Sequence, residues 1–184
     1  MQRSIGTLTI EGWDQPDVQI TLSKPENVRV SAERQGKEVI IDTDYPRPRI
    51  PRNPLIGGSN FTVEYNIRVP SAAKLVVRHQ VGQVNVDNLS GDLDATLLQG
   101  EILLHLPQGG QYTINAKSDY GSVNSDFPGR EKRRWWFLGH SILNEAPPAA
   151  HNLNLRVFSG DIVILKIQVP KEAAPFAAAK ENGQ

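Results

Sequence analysis

The chain has no cysteine, and that absence removes disulfide frameworks, thiolate metal sites and cysteine nucleophiles together. Net charge is also missing, since 20 Lys and Arg balance 20 Asp and Glu. No whole-molecule field therefore steers the protein toward nucleic acid or an anionic membrane, and a nucleic-acid partner is not expected. No segment approaches the run of about 18 apolar residues that spans a bilayer, so no transmembrane segment is expected either. The opening MQRSIGTLTIEGW holds no apolar core of signal-peptide length. If the natural protein is exported, its signal precedes this sequence. Four histidines, at 79, 105, 140 and 151, share no HxxxH spacing, and GxSxG and P-loop patterns are lacking. Aromatics are few, at 5 Phe, 4 Tyr and 3 Trp, whereas 15 Gly and 13 Pro suit a turn-rich β protein better than a helical one.

What is there is a pulse. Residues 82–106 read GQVNVDNLS, GDLDATLLQ, GEILLHL, with glycine at 82, 91 and 100. The second and fourth positions after each glycine are apolar: Val84 and Val86, Leu93 and Ala95, Ile102 and Leu104. That is strand alternation restarted by a turn residue. Gly6 repeats the pattern with Leu8 and Ile10. The steps from Gly82 to Gly100, to Gly121 and to Gly160 are 18, 21 and 39 residues, the last close to two steps, so nine residues make half a turn.

One turn is then two strands. Those after Gly82, Gly100, Gly121 and Gly160 stack in one sheet in that order, and Leu93–Leu97, Tyr112–Ala116 and Leu153–Val157 form the facing sheet. Val84, Ile102, Val123 and Ile162 fall in one inward column, and Val86, Leu104, Ser125 and Ile164 in the next. Each buried aliphatic side chain contributes roughly 1.5–3 kcal/mol of transfer free energy, less than a rung needs to offset its own ordering entropy, so stability must come from stacking.

Around the pulse, residues 28–42 predict a hairpin about Gly36, with alternation apolar-in and polar-out. YPRPRIPRNP over 45–54 has proline at 46, 48, 51 and 54. It predicts an exposed crossover loop, or with its PxxP spacing a ligand for an aromatic-lined groove. The whole predicts one all-β domain over 1–170: an antiparallel N-terminal portion, 1–70, and a two-sheeted parallel β-solenoid, β-helix-like, over 71–170. An insertion at 128–150 interrupts the solenoid, and 171–184 reads as a flexible tail.

These motifs resemble the bacterial putative-adhesin family, a β-solenoid domain of unknown function. The resemblance lies in GQVNVDNLSGDLDATLLQGEILL, YGSVNSDFPG and the closing VFSGDIVILK over residues 75–166, and in the opening GTLTIEGWD with VQITLSK. It implies a noncatalytic domain of the bacterial cell envelope, often exported or attached to membrane segments outside the domain.

Candidate chemistry is thin. Calcium-binding β-rolls place aspartate at the sixth position of each nonapeptide, but here Asp87 is followed by Thr96 and His105, so no calcium, other metal or cofactor is expected. Asp92 and Asp94 flank Leu93, and Asp42 and Asp44 flank Thr43. Residues two apart on a strand share a face, so each pair could chelate a cation or act as acid and base, although solvated strands carry such pairs routinely. His79 and His105 stand at strand positions where each could be structural.

REKRRWWFLGH is the most informative cluster. Arg130, Lys132, Arg133 and Arg134 precede Trp135, Trp136 and Phe137, and basic groups beside large rings suit a partner surface. The alternative is that the rings fold back and cap the solenoid. Two functions stay open: a noncatalytic module contacting a protein or glycan of the cell envelope through its strand faces and this insert, or a polysaccharide lyase or hydrolase using carboxylates such as Asp92 and Asp94. The partner and the oligomeric state are not encoded in these patterns.

Overall fold

The structure, a computed structural model, describes residues 5–24, 28–36, 38–44, 63–133, 139–144 and 151–167. The proline-rich stretch 45–54, residues 134–138 and the tail 171–184 lie outside the described residues. All regular structure among the described residues is β. The strands are β1 (Ile5–Trp13), β2 (Gln19–Ser23), β3 (Arg29–Gln35), β4 (Glu38–Asp44), β5 (Val63–Pro70), β6 (Leu75–Asp87), β7 (Leu93–Pro107), β8 (Tyr112–Tyr120), β9 (Val123–Ser125), β10 (Arg130–Arg133), β11 (His140–Asn144) and β12 (His151–Ile167).

Ten strands form one mixed sheet in the order β10-β11-β8-β12-β7-β6-β1-β5-β2, with β9 also paired to β12. The run from β8 to β5 is parallel throughout, while β2 with β5, β11 with β8, and β10 with β11 are antiparallel. The predicted hairpin is present: β3 and β4 pair antiparallel around Gly36, whose φ is +63°.

The antiparallel reading of residues 1–70 is corrected for β1, which pairs parallel to both β5 and β6. The chain leaves β1, runs out through β2, β3 and β4, and re-enters beside β1 in the same direction. Parallel pairing requires such a long return and cannot follow a two-residue turn.

The two inward columns contain the expected residues, in a different order. Leu8 meets Val84, Val84 meets Ile102, Ile102 meets Ile162 and Ile162 meets Val123; Ile10, Val86, Leu104, Ile164 and Ser125 form the adjacent column. The last two rungs are thus exchanged relative to sequence order. The cause is the insertion: its β10–β11 hairpin pairs with the far edge of β8, with Ile142 opposite Ala116, and the chain then returns to place β12 between β7 and β8. Only a strand apolar along its full inward side suits that interior slot, and β12 supplies Leu153, Leu155, Val157, Ile162 and Ile164, all at most 1% exposed.

The half-turn strands expected on opposite sheets are instead continuous. Leu93, Ala95 and Leu97 point inward before Gly100, and Ile102, Leu104 and Leu106 point inward after it, all on β7. The inward set changes parity across the glycine, so the strand bends there and both arms bury side chains in one core. Gly6, Gly82, Gly100 and Gly160 pair with one another across β1, β6, β7 and β12, with φ between 130° and 134°. A Cβ on Gly100 would lie 1.8 Å from the carbonyl oxygen of Gly82, and one on Gly82 would lie 1.9 Å from that of Gly6. Both the backbone angle and the close approach therefore require glycine.

The β3–β4 hairpin is tied to the large sheet by a buried hydrogen bond of 2.6 Å between Thr43 Oγ1 and the Tyr65 hydroxyl.

Candidate functional site

Across the sheet, register brings together residues far apart in sequence. Arg78 on β6 pairs with Thr96 on β7, Thr96 with Arg156 on β12, Arg156 with Lys117 on β8, Lys117 with Ser141 on β11, and Ser141 with Lys132 on β10. Directly paired residues share a face. Their strand neighbours, such as Val77, Leu155 and Ala116, are buried, so this row faces outward. Four of its six members are cations and none is an acid. The parallel row two positions back reads Val76, Asp94, Asn154, Asn115, Leu143 and Arg130.

Two of the cations are paired along the face. Arg78 holds Asp94 through two bonds, Nη1 to Oδ1 at 3.0 Å and Nη2 to Oδ2 at 3.1 Å. Lys117 Nζ lies 2.5 Å from Asp119 Oδ1. Arg156, exposed between them, has no hydrogen bond or ion pair among the described residues. Beside this row lies an open groove of about 540 Å³, lined by Arg78, Thr96, Leu98, Lys117, Arg156 and Phe158 among others. Leu98 and Phe158 are each 50% exposed, and Phe158 meets Tyr120 edge to face at 5.2 Å between centroids.

Only part of the sequence-predicted cluster falls within the described residues. Arg130 and Lys132 are exposed on β10 and stand at the far ends of the two outward rows; Arg133 lies on β10 opposite His140. Arg134, Trp135, Trp136 and Phe137 lie outside the described residues. Arg78, Lys117 and Arg156 were not singled out by sequence, although a signal existed. With Thr96 they stand four positions before Gly82, Gly121, Gly160 and Gly100 respectively, so aligning the chain on those glycines superposes them.

The carboxylate pairs have structural partners. Asp92 Oδ1 accepts the backbone N–H of Asn152 at 2.9 Å, and Asp94 is held by Arg78. Asp42 accepts the backbone N–H of Thr43 at 2.9 Å, while Thr43 points into the core between two exposed aspartates. Among the described residues no three His, Asp or Glu side chains gather as metal ligands.

The histidines divide. His79 is buried, with Nε2 donating to the Gly6 carbonyl at 3.0 Å; burial holds its pKa below the ordinary 6.5, although the Gly6 and Val81 carbonyls pull the other way. His105 Nδ1 meets Asp87 Oδ1 at 2.5 Å across the β6–β7 ladder. His140 Nδ1 accepts the Val123 N–H at 3.0 Å, which puts the proton of the neutral ring on Nε2, 3.6 Å from Glu131. No helix among the described residues is long and apolar enough to cross a membrane.

No protein-family profile matches the chain, and no curated protein matches it. Among solved structures, that of "a putative cell adhesion protein from Clostridium sporogenes ATCC 15579" is similar, with a TM-score of 0.55 and 15% sequence identity over 90% of this chain and 91% of that one. At that identity the likeness is one of fold alone.

Proposed function

We propose that this chain is a noncatalytic, adhesin-like binding module of the bacterial cell envelope, built as a β-solenoid-like stack and displayed on the outer side of the membrane. The observation that carries the reading is the outward row from Arg78 to Lys132, a side-chain surface assembled from six strands, with a guanidinium near its centre, that of Arg156, unpaired among the described residues. The backbone of the interior strands is engaged in the sheet, so this face offers side chains alone. A rigid scaffold of that kind suits recognition, because little conformational entropy is lost on binding. The fold likeness to the Clostridium protein described as "a putative cell adhesion protein" supports the same reading.

The test is an amide chemical-shift titration with defined envelope polymers: peptidoglycan fragments, acidic and neutral glycans, and acidic peptides. Shifts gathered on β6, β7, β12 and β8 support the module. Release of new reducing ends or unsaturated sugars during the titration overturns the noncatalytic reading in favour of a hydrolase or lyase.

A further inference from the structure

We infer that the outward face takes an acidic polysaccharide of the uronate type, lying across the strands along the row from Arg78 to Lys132. The inference rests on the reading of the chain as a binding module and names the chemistry of its partner.

The two outward rows carry five cations, Arg78, Arg156, Lys117, Lys132 and Arg130, against Asp94, and Asp119 stands beside Lys117. Because Arg78 and Lys117 are each satisfied by an aspartate, the positive charge without a partner among the described residues sits at Arg156, Lys132 and Arg130. With strands spaced about 4.8 Å, the track from Arg78 to Lys132 extends roughly 24 Å; Arg156 and Lys132 stand three strand spacings apart, roughly 14 Å, and Arg130 lies two residues from Lys132 on the same strand. That spacing suits a polymer whose carboxylates are set apart by sugar rings, with more than one ring between the Arg156 and Lys132 positions. It does not fit nucleic acid, whose duplex carries a charge about every 1.7 Å.

Between the cations stand Thr96, Asn154, Asn115 and Ser141, which donate and accept hydrogen bonds as sugar hydroxyls require. Phe158 and Tyr120 place apolar ring surface along one margin, where the C–H faces of a pyranose can pack. A guanidinium pairs a carboxylate through two parallel N–H bonds, and Arg156, with no partner among the described residues, can do so. An acidic peptide would gain its main-chain bonds at an open strand edge, and β6, β7, β12 and β8 are all interior.

The experiment titrates isotope-labelled protein with oligogalacturonate, with the same oligomer after reduction of its carboxyls, and with polyglutamate. The expected result is that oligogalacturonate shifts amides around Arg156 on β7, β12 and β8, with affinity that falls as salt rises. Arg156→Ala weakens this binding at least tenfold, and adding Lys132→Ala weakens it further, at an unchanged melting temperature. Equal binding of the reduced oligomer at the same face overturns the acidic assignment while leaving the module intact. Tighter binding of polyglutamate there overturns it in favour of a protein partner. If no oligogalacturonate shift falls on this face, the site is overturned; if the wider panel also leaves the face unshifted, the module reading fails with it.

Discussion

The imidazole of His79 donates to the carbonyl oxygen of Gly6, 73 positions earlier in the chain, at 3.0 Å inside the core. Protonation would place a charge in that buried site, so the folded-state pKa lies below 6.5 and the unfolded chain takes the proton first. His79 therefore supports the fold fully above pH 6.5 and opposes it progressively as pH falls below that value toward the folded-state pKa. Its share of the slope is at most that of one proton, about 1.4 kcal/mol per pH unit. Urea midpoints measured from pH 7.5 to 5.0 on the native chain and on His79→Gln test this. The variant should be weaker at pH 7.5 and lose less on acidification; parallel curves would contradict it.

Gly100→Ala should destabilise the protein by more than about 4 kcal/mol, or prevent folding, since the new Cβ would meet the Gly82 carbonyl in a backbone conformation closed to alanine. Gly36→Ala, in the β3–β4 turn with nothing among the described residues within 4 Å of the added carbon, should cost about 1 kcal/mol through φ alone. Thermal melts of the two variants give the comparison; similar losses would show that close packing at the bend is unimportant.

Leu104 is fully buried in the inward column, and Leu104→Ala should lose about 2–5 kcal/mol. Asn85, one strand over and on the opposite side, has a buried Oδ1 with no hydrogen-bond partner among the described residues. Asn85→Val removes that unsatisfied acceptor and adds a β-branched side chain next to Thr9 and Leu103, and should gain up to about 1 kcal/mol. Denaturant unfolding of both variants checks the register, and a loss at Asn85 comparable to that at Leu104 would refute it.

The bond between Thr43 and Tyr65 joins the hairpin to the large sheet, and both partners are buried. Tyr65→Phe should cost about 1–2 kcal/mol by stranding the Thr43 hydroxyl, whereas Tyr65→Phe with Thr43→Val should recover part of that loss. A double-mutant cycle with no coupling energy would mean that the hairpin is held by its apolar contacts alone.

The inward columns were legible because glycine and alternating apolar residues mark both arms of each rung, from Val84 to Ile164. Their order was not, because Val123 and Ile162 carry the same pulse and nothing in it says which stands beside Ile102. That choice is made by the β10–β11 hairpin, a tertiary event. Parallel pairing of β1 was hidden for a related reason: alternation in Ile5–Trp13 specifies two faces and leaves strand direction open. The outward basic row escaped notice since Arg78, Lys117 and Arg156 are each isolated in sequence and meet only through register. Arg130 and Lys132 were found because they are adjacent to other cations, which is how a linear reading detects charge.

The position of β12 bears on how the chain is made. Paired to β7 on one edge and to β8 and β9 on the other, it is the last of the described strands to be synthesised, yet it occupies the middle of the sheet. A nascent chain lacking it carries an open slot one strand wide, flanked by two unsatisfied edges. The N-terminal rungs β5, β1, β6 and β7 can assemble during translation, but β8 and its hairpin must wait. A separately supplied peptide covering residues 151–167 should fit that slot, so the protein is suited to reassembly from two fragments and, where two copies fold side by side, to exchange of that strand between them.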